Sequence, residues 1–351
     1  MKQGKVVILS RESDSPTLDI SLLEQELRKR EGIEVVVLCK MLKHNYFSYF
    51  LHMLRQIREI KTSDVIVADT YIIPVSLFRH RKNQTVIQMW HALGAIKQFG
   101  WQTVGRSGGR SGRISHIMRM HAGYDQIICA SDVTAKYFCE AFRASADKIV
   151  KLGLPRIDYI LRNDSEMKQS IYKRYPKLAE GKEKGRRTVL YVPTFRRGRP
   201  VDIRPLADAL DRDKYDLIVK LHPIDEERTE AAEGVIYDRE FDSYDMLRVA
   251  DIVVSDYSSY VIEASLAEKP LYLYAYDLDE YREQVGLNMD PAGEAISEYV
   301  FTDAAEMAAS FEKEYDIDKL KQFRKKYIDI DTENCTRKLA DHIVSMIGEC
   351  R

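Results

Sequence analysis

Four short stretches carry side chains whose types and spacing suit acid–base and anion chemistry. "QMWHALGAIKQFG" (88–100) sets His91, Gly94 and Lys97 where a strand-like run is about to turn. "YVPTFRRGR" (191–199) leaves a second strand through Pro193, which cannot donate to a ladder, so that Thr194 and Arg196 follow its carboxyl end. "KLHPID" (220–225) repeats the design, with His222 ahead of a proline that biases it toward extended backbone. In "SDYSSYVIEASLAEKP" (255–270) Asp256 ends a strand, Ser258 and Ser259 open a helix-competent run, and Glu263 follows about one turn on. A histidine with its ordinary pKa of ~6.5 is largely neutral near pH 7 and can take a proton from a hydroxyl. Paired serines at a helix start, with an arginine nearby, suit a phosphate. Each piece also has a plainer reading: a histidine that ends a strand and satisfies a buried backbone group, or a serine that only caps.

From Tyr71 to Tyr124 the chain has no Asp or Glu, while Arg79, Arg81, Lys82, Lys97, Arg106, Arg110, Arg113 and Arg119 all fall there. This is a solvated basic face or an anion-gripping loop. "GRSGGRSGR" (105–113) favours the loop, because glycines let backbone approach an anion while Arg106 and Arg110 supply charge. The segment lacks the terminal Gly-Lys-Ser/Thr of a P-loop, so triphosphate hydrolysis is not indicated.

The elements that must position these residues are legible as alternation. "KVVILS", "EVVVLC", "DVIVAD", "TVIQMW" and "QIICAS" are continuous β-branched runs of the kind buried on both faces of a parallel sheet. "LDISLLEQELRKREG" between the first two is a helix with a glycine stop. After a charged break at 178–187 the pattern restarts with "TVLYVPT", "YDLIVKLHP", "GVIYD", "DIVVSD" and "PLYLYAYD". This predicts an α/β protein of two doubly wound Rossmann-like domains, 1–180 and 188–351, with an intervening cleft and helices from Asp303 to the end. "NYFSYFLHMLRQIREIK" (45–61) places Phe47, Phe50, Leu51, Leu54 and Ile57 at helical spacing; the stripe is expected to pack on the first sheet, with a membrane headgroup layer as the alternative.

Bulk properties narrow the class. The 351 residues are 45% hydrophobic and 31% charged with a formal charge of −1, which fits a two-domain globular chain and not a general nucleic-acid binder. The five cysteines are scattered and unpaired in sequence, a reduced pattern with no zinc spacing. No metal cluster and no cofactor motif stand out. The opening "MKQGKVVILSRESDS" turns polar after one short apolar run, and no run reaches the ~18 apolar residues of a span, so a cytoplasmic protein is expected.

In order, "WHALGAIKQFG", "GLPRID", "YVPTFR", "KLHP" and "SDYSSYVIEASLAEKPLYLYAYDLDEY" resemble the CDP-glycerol glycerophosphotransferase family, the teichoic-acid primases and polymerases, from about Ile87 to Tyr281. The resemblance implies a GT-B fold and transfer of a polyol phosphate from CDP-glycerol or CDP-ribitol to a lipid-linked saccharide acceptor. It also implies peripheral attachment to the inner face of the cell membrane. On the matched positions it implies His91 as general base, His222 beside the donor pyrophosphate, and Arg196, Ser258 and Ser259 in donor binding. Thr194, Asp256 and Glu263 join the donor set, and Gly94, Lys97, Arg106 and Arg110 the substrate-binding set. Two departures stand out: Ala92-Leu93-Gly94 replaces the Gly-Thr-Pro that follows the histidine in many members, and Glu263 stands where aspartate is common. On this resemblance the chain is also expected to lack the extra N-terminal region of the larger polymerases. The rival readings are a nucleotide-sugar GT-B glycosyltransferase and a non-catalytic membrane-surface binding protein.

Overall fold

The computed structural model describes residues 4–42, 46–106, 109–196 and 199–349. Ser107 and Gly108 of the glycine–arginine stretch, Asn45, Arg197, Gly198 and Cys350 lie outside the described residues. The chain forms two compact units, residues 1–158 with 327–351, and residues 159–326.

The first unit is built on a six-stranded sheet of β1 (Gly4–Ser10), β2 (Ile33–Cys39), β3 (Val65–Ala68), β4 (Thr85–Gln88), β5 (Gln126–Cys129) and β6 (Ile149–Lys151), in the order β2-β1-β3-β4-β5-β6. All pairings are parallel. Val6 to Leu9 and Val65 to Ala68 are fully buried, as strands covered on both faces must be. The five predicted strands are β1 to β5. The short β6 went unread because its three residues offer no period. From β1 the chain steps to β2 on one side and to β3 on the other, so the order reverses between β1 and β3.

The second unit has β7 (Arg187–Tyr191), β8 (Tyr215–Val219), β9 (Ile236–Tyr237), β10 (Ile252–Ser255), β11 (Leu271–Tyr274) and β12 (Val300–Phe301), again all parallel, in the order β12-β11-β10-β7-β8-β9. Read from β9, this is the 3-2-1-4-5-6 order of the dinucleotide-binding fold, with its switch point between β7 and β10.

The division differs from the expected 1–180 and 188–351. Residues 176–183 are helical rather than a break. The C-terminal helix (Cys335–Glu349) belongs to the first unit. Its start is held by Asp158, whose carboxylate accepts from the N–H groups of Cys335 and Thr336 at 2.9 and 2.7 Å. Leu339, Ala340 and Ile343 on it are fully buried. A carboxylate far away in sequence thus caps the last helix, a pairing no local pattern announces.

Two helices follow β1 and β2. α1 (Leu18–Arg28) buries Ile20, Leu23 and Leu27 as its spacing predicts. α2 (Tyr46–Thr62) does not: it turns Tyr49, Gln56, Glu59 and Ile60 inward and leaves Phe47, Phe50, Leu51 and Leu54 at 72, 50, 50 and 48% exposure. The expectation that this stripe packs on the sheet is therefore corrected. Glu59 turns inward because Lys5 of β1 meets it at 2.6 Å, and Gln56 bonds His52.

Candidate active site

In the first unit the functional side chains gather at the carboxyl ends of β1, β3 and β4. Ser10, the last residue of β1, donates its hydroxyl to Asp69 Oδ2 at 2.9 Å, just beyond β3. Gln88 ends β4; its amide donates to the Thr70 carbonyl at 3.1 Å, while its oxygen accepts from the Trp90 N–H at 2.9 Å. That grip holds Trp90 in the left-handed region at φ 57°, a conformation costly for a bulky side chain and stored where the chain bends into its next residue.

The next residue is His91. Its Nδ1 lies 3.0 Å from the Asp69 carbonyl oxygen. A carbonyl only accepts, so Nδ1 carries the proton and the neutral ring keeps its lone pair on Nε2. Trp90 lies against the imidazole at 4.1 Å between ring centroids and stacks on Phe99 at 4.5 Å. Burial raises the pKa of Asp69, opposed first by the charge of His91 and then by the Ser10 hydroxyl. His121, 6% exposed, bonds the Tyr124 hydroxyl at 3.0 Å, and burial pushes its pKa down to about 3. It is a neutral core histidine.

The other first-unit candidates are dispersed. Gly94 is buried and Lys97 half-buried in the segment after His91. Arg110 places its guanidinium 5.6 Å from the centre of the Tyr71 ring, beside the Asp69 loop. Arg106 is exposed and, among the described residues, no side-chain bond ties it to this group.

In the second unit the switch point between β7 and β10 is closed by a charged knot. The Thr194 N–H donates to both oxygens of Asp256 at 3.0 Å. Arg196 donates from Nη2 to Asp256 at 2.8 Å, from Nε to Asp277 at 2.7 Å and from Nη1 to the Thr194 carbonyl at 2.6 Å. Its guanidinium lies 5.1 and 4.9 Å from the rings of Tyr257 and Tyr281. Arg196 is 3% exposed and Asp256 fully buried. The sequence suggested a guanidinium offered to a ligand; the structure spends it on two carboxylates, because a buried cation must be matched in place. Thr194 is also buried, and Glu263, 2% exposed, accepts from the Tyr244 hydroxyl. These four shape the loops around the site from within.

His222 and the serines remain at the surface. His222 is exposed after β8, and its Nδ1 accepts from the Ile224 N–H at 3.2 Å. Ser258 and Ser259 are half-buried; Ser258 Oγ accepts from the Tyr260 N–H at 3.2 Å, so this serine is a cap. The helix they open, Tyr260–Ala264, has only five residues before a tighter turn. Asp69, Asp225 and Asp277 were missed. Asp225 is 1% exposed, its pKa raised by burial against the opposing charge of Arg228, 3.8 Å away. One signal was available for two of them: an aspartate just beyond an apolar strand, in "VIVAD" and "LYLYAYD".

Two parallel six-stranded Rossmann-type units, each with its polar residues at the carboxyl ends of the strands, define the GT-B class. The sequence profile of the CDP-Glycerol:Poly(glycerophosphate) glycerophosphotransferase family matches residues 1–345, and the chain belongs to that family of transferases. It is 26% identical over 365 residues to the teichoic acid ribitol-phosphate primase of Bacillus spizizenii, covering 99% of this chain and 92% of that protein. Against the teichoic acid glycerol-phosphate primase of Bacillus subtilis it is 27% identical over 320 residues, 87% of this chain and 81% of that one. Among solved structures, the wall teichoic acid polymerase TagF shares the fold with a TM-score of 0.70 at 19% identity, over 99% of this chain and 90% of that one. The UDP-GlcNAc 2-epimerase of Neisseria meningitidis shares it at 0.57 and 12% identity, over 98% of this chain and all of that one (100%).

Proposed function

We propose that this protein transfers a polyol phosphate, glycerol phosphate first, from CDP-glycerol to a hydroxyl of a lipid-linked saccharide acceptor in teichoic-acid or capsule-type polymer synthesis, releasing CMP. The observation that carries the reading is the tautomer of His91, proton on Nδ1 and lone pair on Nε2, in a member of this family. The acceptor hydroxyl attacks the phosphorus that bears the polyol. His91 Nε2 takes the hydroxyl proton as the new P–O bond forms, and the bond to the CMP oxygen breaks. Base help of this kind contributes about 10²–10⁴-fold. CMP leaves as a phosphate whose charge must be met rather than protonated. The Nε2–H of His222 and the polar turn at Ser258 and Ser259 are suited to meet it. The second unit is assigned the donor and the first the acceptor.

The lipid-linked acceptor implies work at the inner membrane face. The exposed Phe47, Phe50, Leu51 and Leu54 of α2, next to the exposed Arg55 and Arg58, support a peripheral contact with anionic lipid. No helix among the described residues is long and apolar enough to cross a membrane.

CDP-ribitol is the second reading, favoured by the likeness to a ribitol-phosphate primase. Purified protein given a lipid-linked saccharide and each CDP-polyol separately is expected to release CMP from one, CDP-glycerol on the first reading. Release of UDP from a nucleotide sugar, or no nucleotide from any donor, overturns both.

A further inference from the structure

The topological reversal of the first sheet lies between β1 and β3; Arg11 directly follows β1, and Tyr71 stands three residues past the end of β3. Crevices at such reversals are where open α/β sheets take ligands. Arg11 and Arg110, ninety-nine positions apart in sequence, bring their guanidinium carbons to 5.9 and 5.6 Å from the centre of the same Tyr71 ring. Arg11 also lies 5.7 Å from the ring centre of Tyr49 on α2. Tyr71 is fixed from behind, its hydroxyl donating to the Met118 carbonyl at 2.6 Å. Arg11 donates its backbone N–H to the Thr70 hydroxyl at 3.0 Å and its side-chain Nη1 to the Tyr71 carbonyl at 3.0 Å.

Arg11 is half-buried and Arg110 exposed. Among the described residues neither Arg11 nor Arg110 has a carboxylate within ion-pair distance. The Tyr49 hydroxyl is buried in a residue 3% exposed, and neither it nor Arg11 Nε has a hydrogen-bond partner. Two guanidiniums and two buried polar atoms without a protein partner converge here, a set of donors that suits an anion with several acceptor oxygens. Asp69, on the same loop as Tyr71, has its Oδ2 engaged by the Ser10 hydroxyl.

We propose that Arg11, Tyr49 and Arg110 form a phosphoryl-group subsite that holds an anionic phosphate of the acceptor beside the hydroxyl that His91 deprotonates. The Asp69 loop links the two: its carbonyl orients His91, and two residues on it presents Tyr71. The substrate class is thus an acceptor whose reactive hydroxyl is already flanked by a phosphate ester or a diphosphate. This rests on the polyol-phosphate reading for its meaning but not for its measurement.

The test titrates the full chain with sn-glycerol 3-phosphate and with glycerol by calorimetry. The phosphate is expected to bind and glycerol not to. Arg11→Gln is expected to weaken phosphate binding by at least about tenfold. Tyr49→Phe, which removes one oxygen from an otherwise intact core, should weaken it by about threefold or more, with the affinity for CDP-glycerol unchanged in both. Should Arg11→Gln fail to fold, Tyr49→Phe and Arg110→Gln carry the test. Equal binding by the parent and the folded variants overturns the subsite. So does a loss confined to vesicles of phosphatidylglycerol, which would make the arginines a lipid contact. A parent protein that binds glycerol 3-phosphate through Arg11 but releases CMP from neither CDP-polyol sinks the transfer reading and leaves the subsite standing.

Discussion

The Ile224 N–H donates to Nδ1 of His222, whereas Nδ1 of His91 donates to the Asp69 carbonyl. The two imidazoles therefore hold opposite tautomers when neutral: His91 presents a lone pair at Nε2 and His222 presents an N–H there. One is set up to accept a proton, the other to donate a hydrogen bond.

His91→Ala is expected to lower kcat by about 10²–10⁴-fold while the affinity for CDP-glycerol stays within twofold. Single-turnover CMP release and calorimetry together check this. A turnover within tenfold of the parent removes His91 as the base.

For His222 the expected change is in donor affinity. His222→Ala should weaken CDP-glycerol binding by roughly tenfold, the scale of a hydrogen bond to a charged group. His222→Gln keeps an N–H at similar reach and should recover part of it. Equal donor affinity in parent and alanine variant would take His222 out of the donor site.

Arg196 is predicted to matter for folding before binding. Breaking a buried pair by removing one partner costs about 3–5 kcal/mol, and Arg196 holds Asp256 and Asp277 at once. Arg196→Ala should lower the urea midpoint of the second unit's unfolding, with Asp277→Asn showing a similar fall. A variant as stable as the parent but unable to bind CDP-glycerol would restore Arg196 to direct contact.

Asp69 gives a pH dependence with a definite sign. Burial raises its folded pKa above the ordinary carboxylate value. Its contribution to stability is complete below about pH 4 and is lost as pH rises through the folded pKa, because over that window the native state binds the extra proton. Urea midpoints from pH 4 to 8 should show the parent losing ground to Asp69→Asn as pH rises. A gap that widens in the parent's favour contradicts the burial argument.

The exposed face of α2 predicts lipid dependence. Phe50→Glu with Leu54→Glu should reduce binding to phosphatidylglycerol vesicles by about tenfold, and salt should weaken the parent's binding by screening its arginines. Flotation measures both; unchanged binding would leave α2 without a membrane role.

Much of the fold was legible because buried parallel strands write themselves as unbroken β-branched runs, as in "KVVILS" and "DIVVSD". Both histidines were visible for the same reason, since each stands just past such a run. The helix α2 misled: its apolar spacing is real, but spacing does not say whether the apolar face meets a sheet or solvent. Arg11 gave no signal, sitting alone in a polar loop whose meaning comes only from Tyr71 and Arg110 arriving beside it.

The sequence by itself determined which segments become strands, where each chain turn follows a strand end, and which turns carry imidazoles and hydroxyls, because these depend on residues within a few positions of one another. Tertiary structure decided the rest: that Arg196 is consumed by two carboxylates, that the last helix is capped by Asp158 and belongs with the first unit, and that two histidines take opposite tautomers. Each of those depends on burial and on hydrogen-bond partners brought from other parts of the chain or aligned by the folded backbone, and neither is encoded in local spacing.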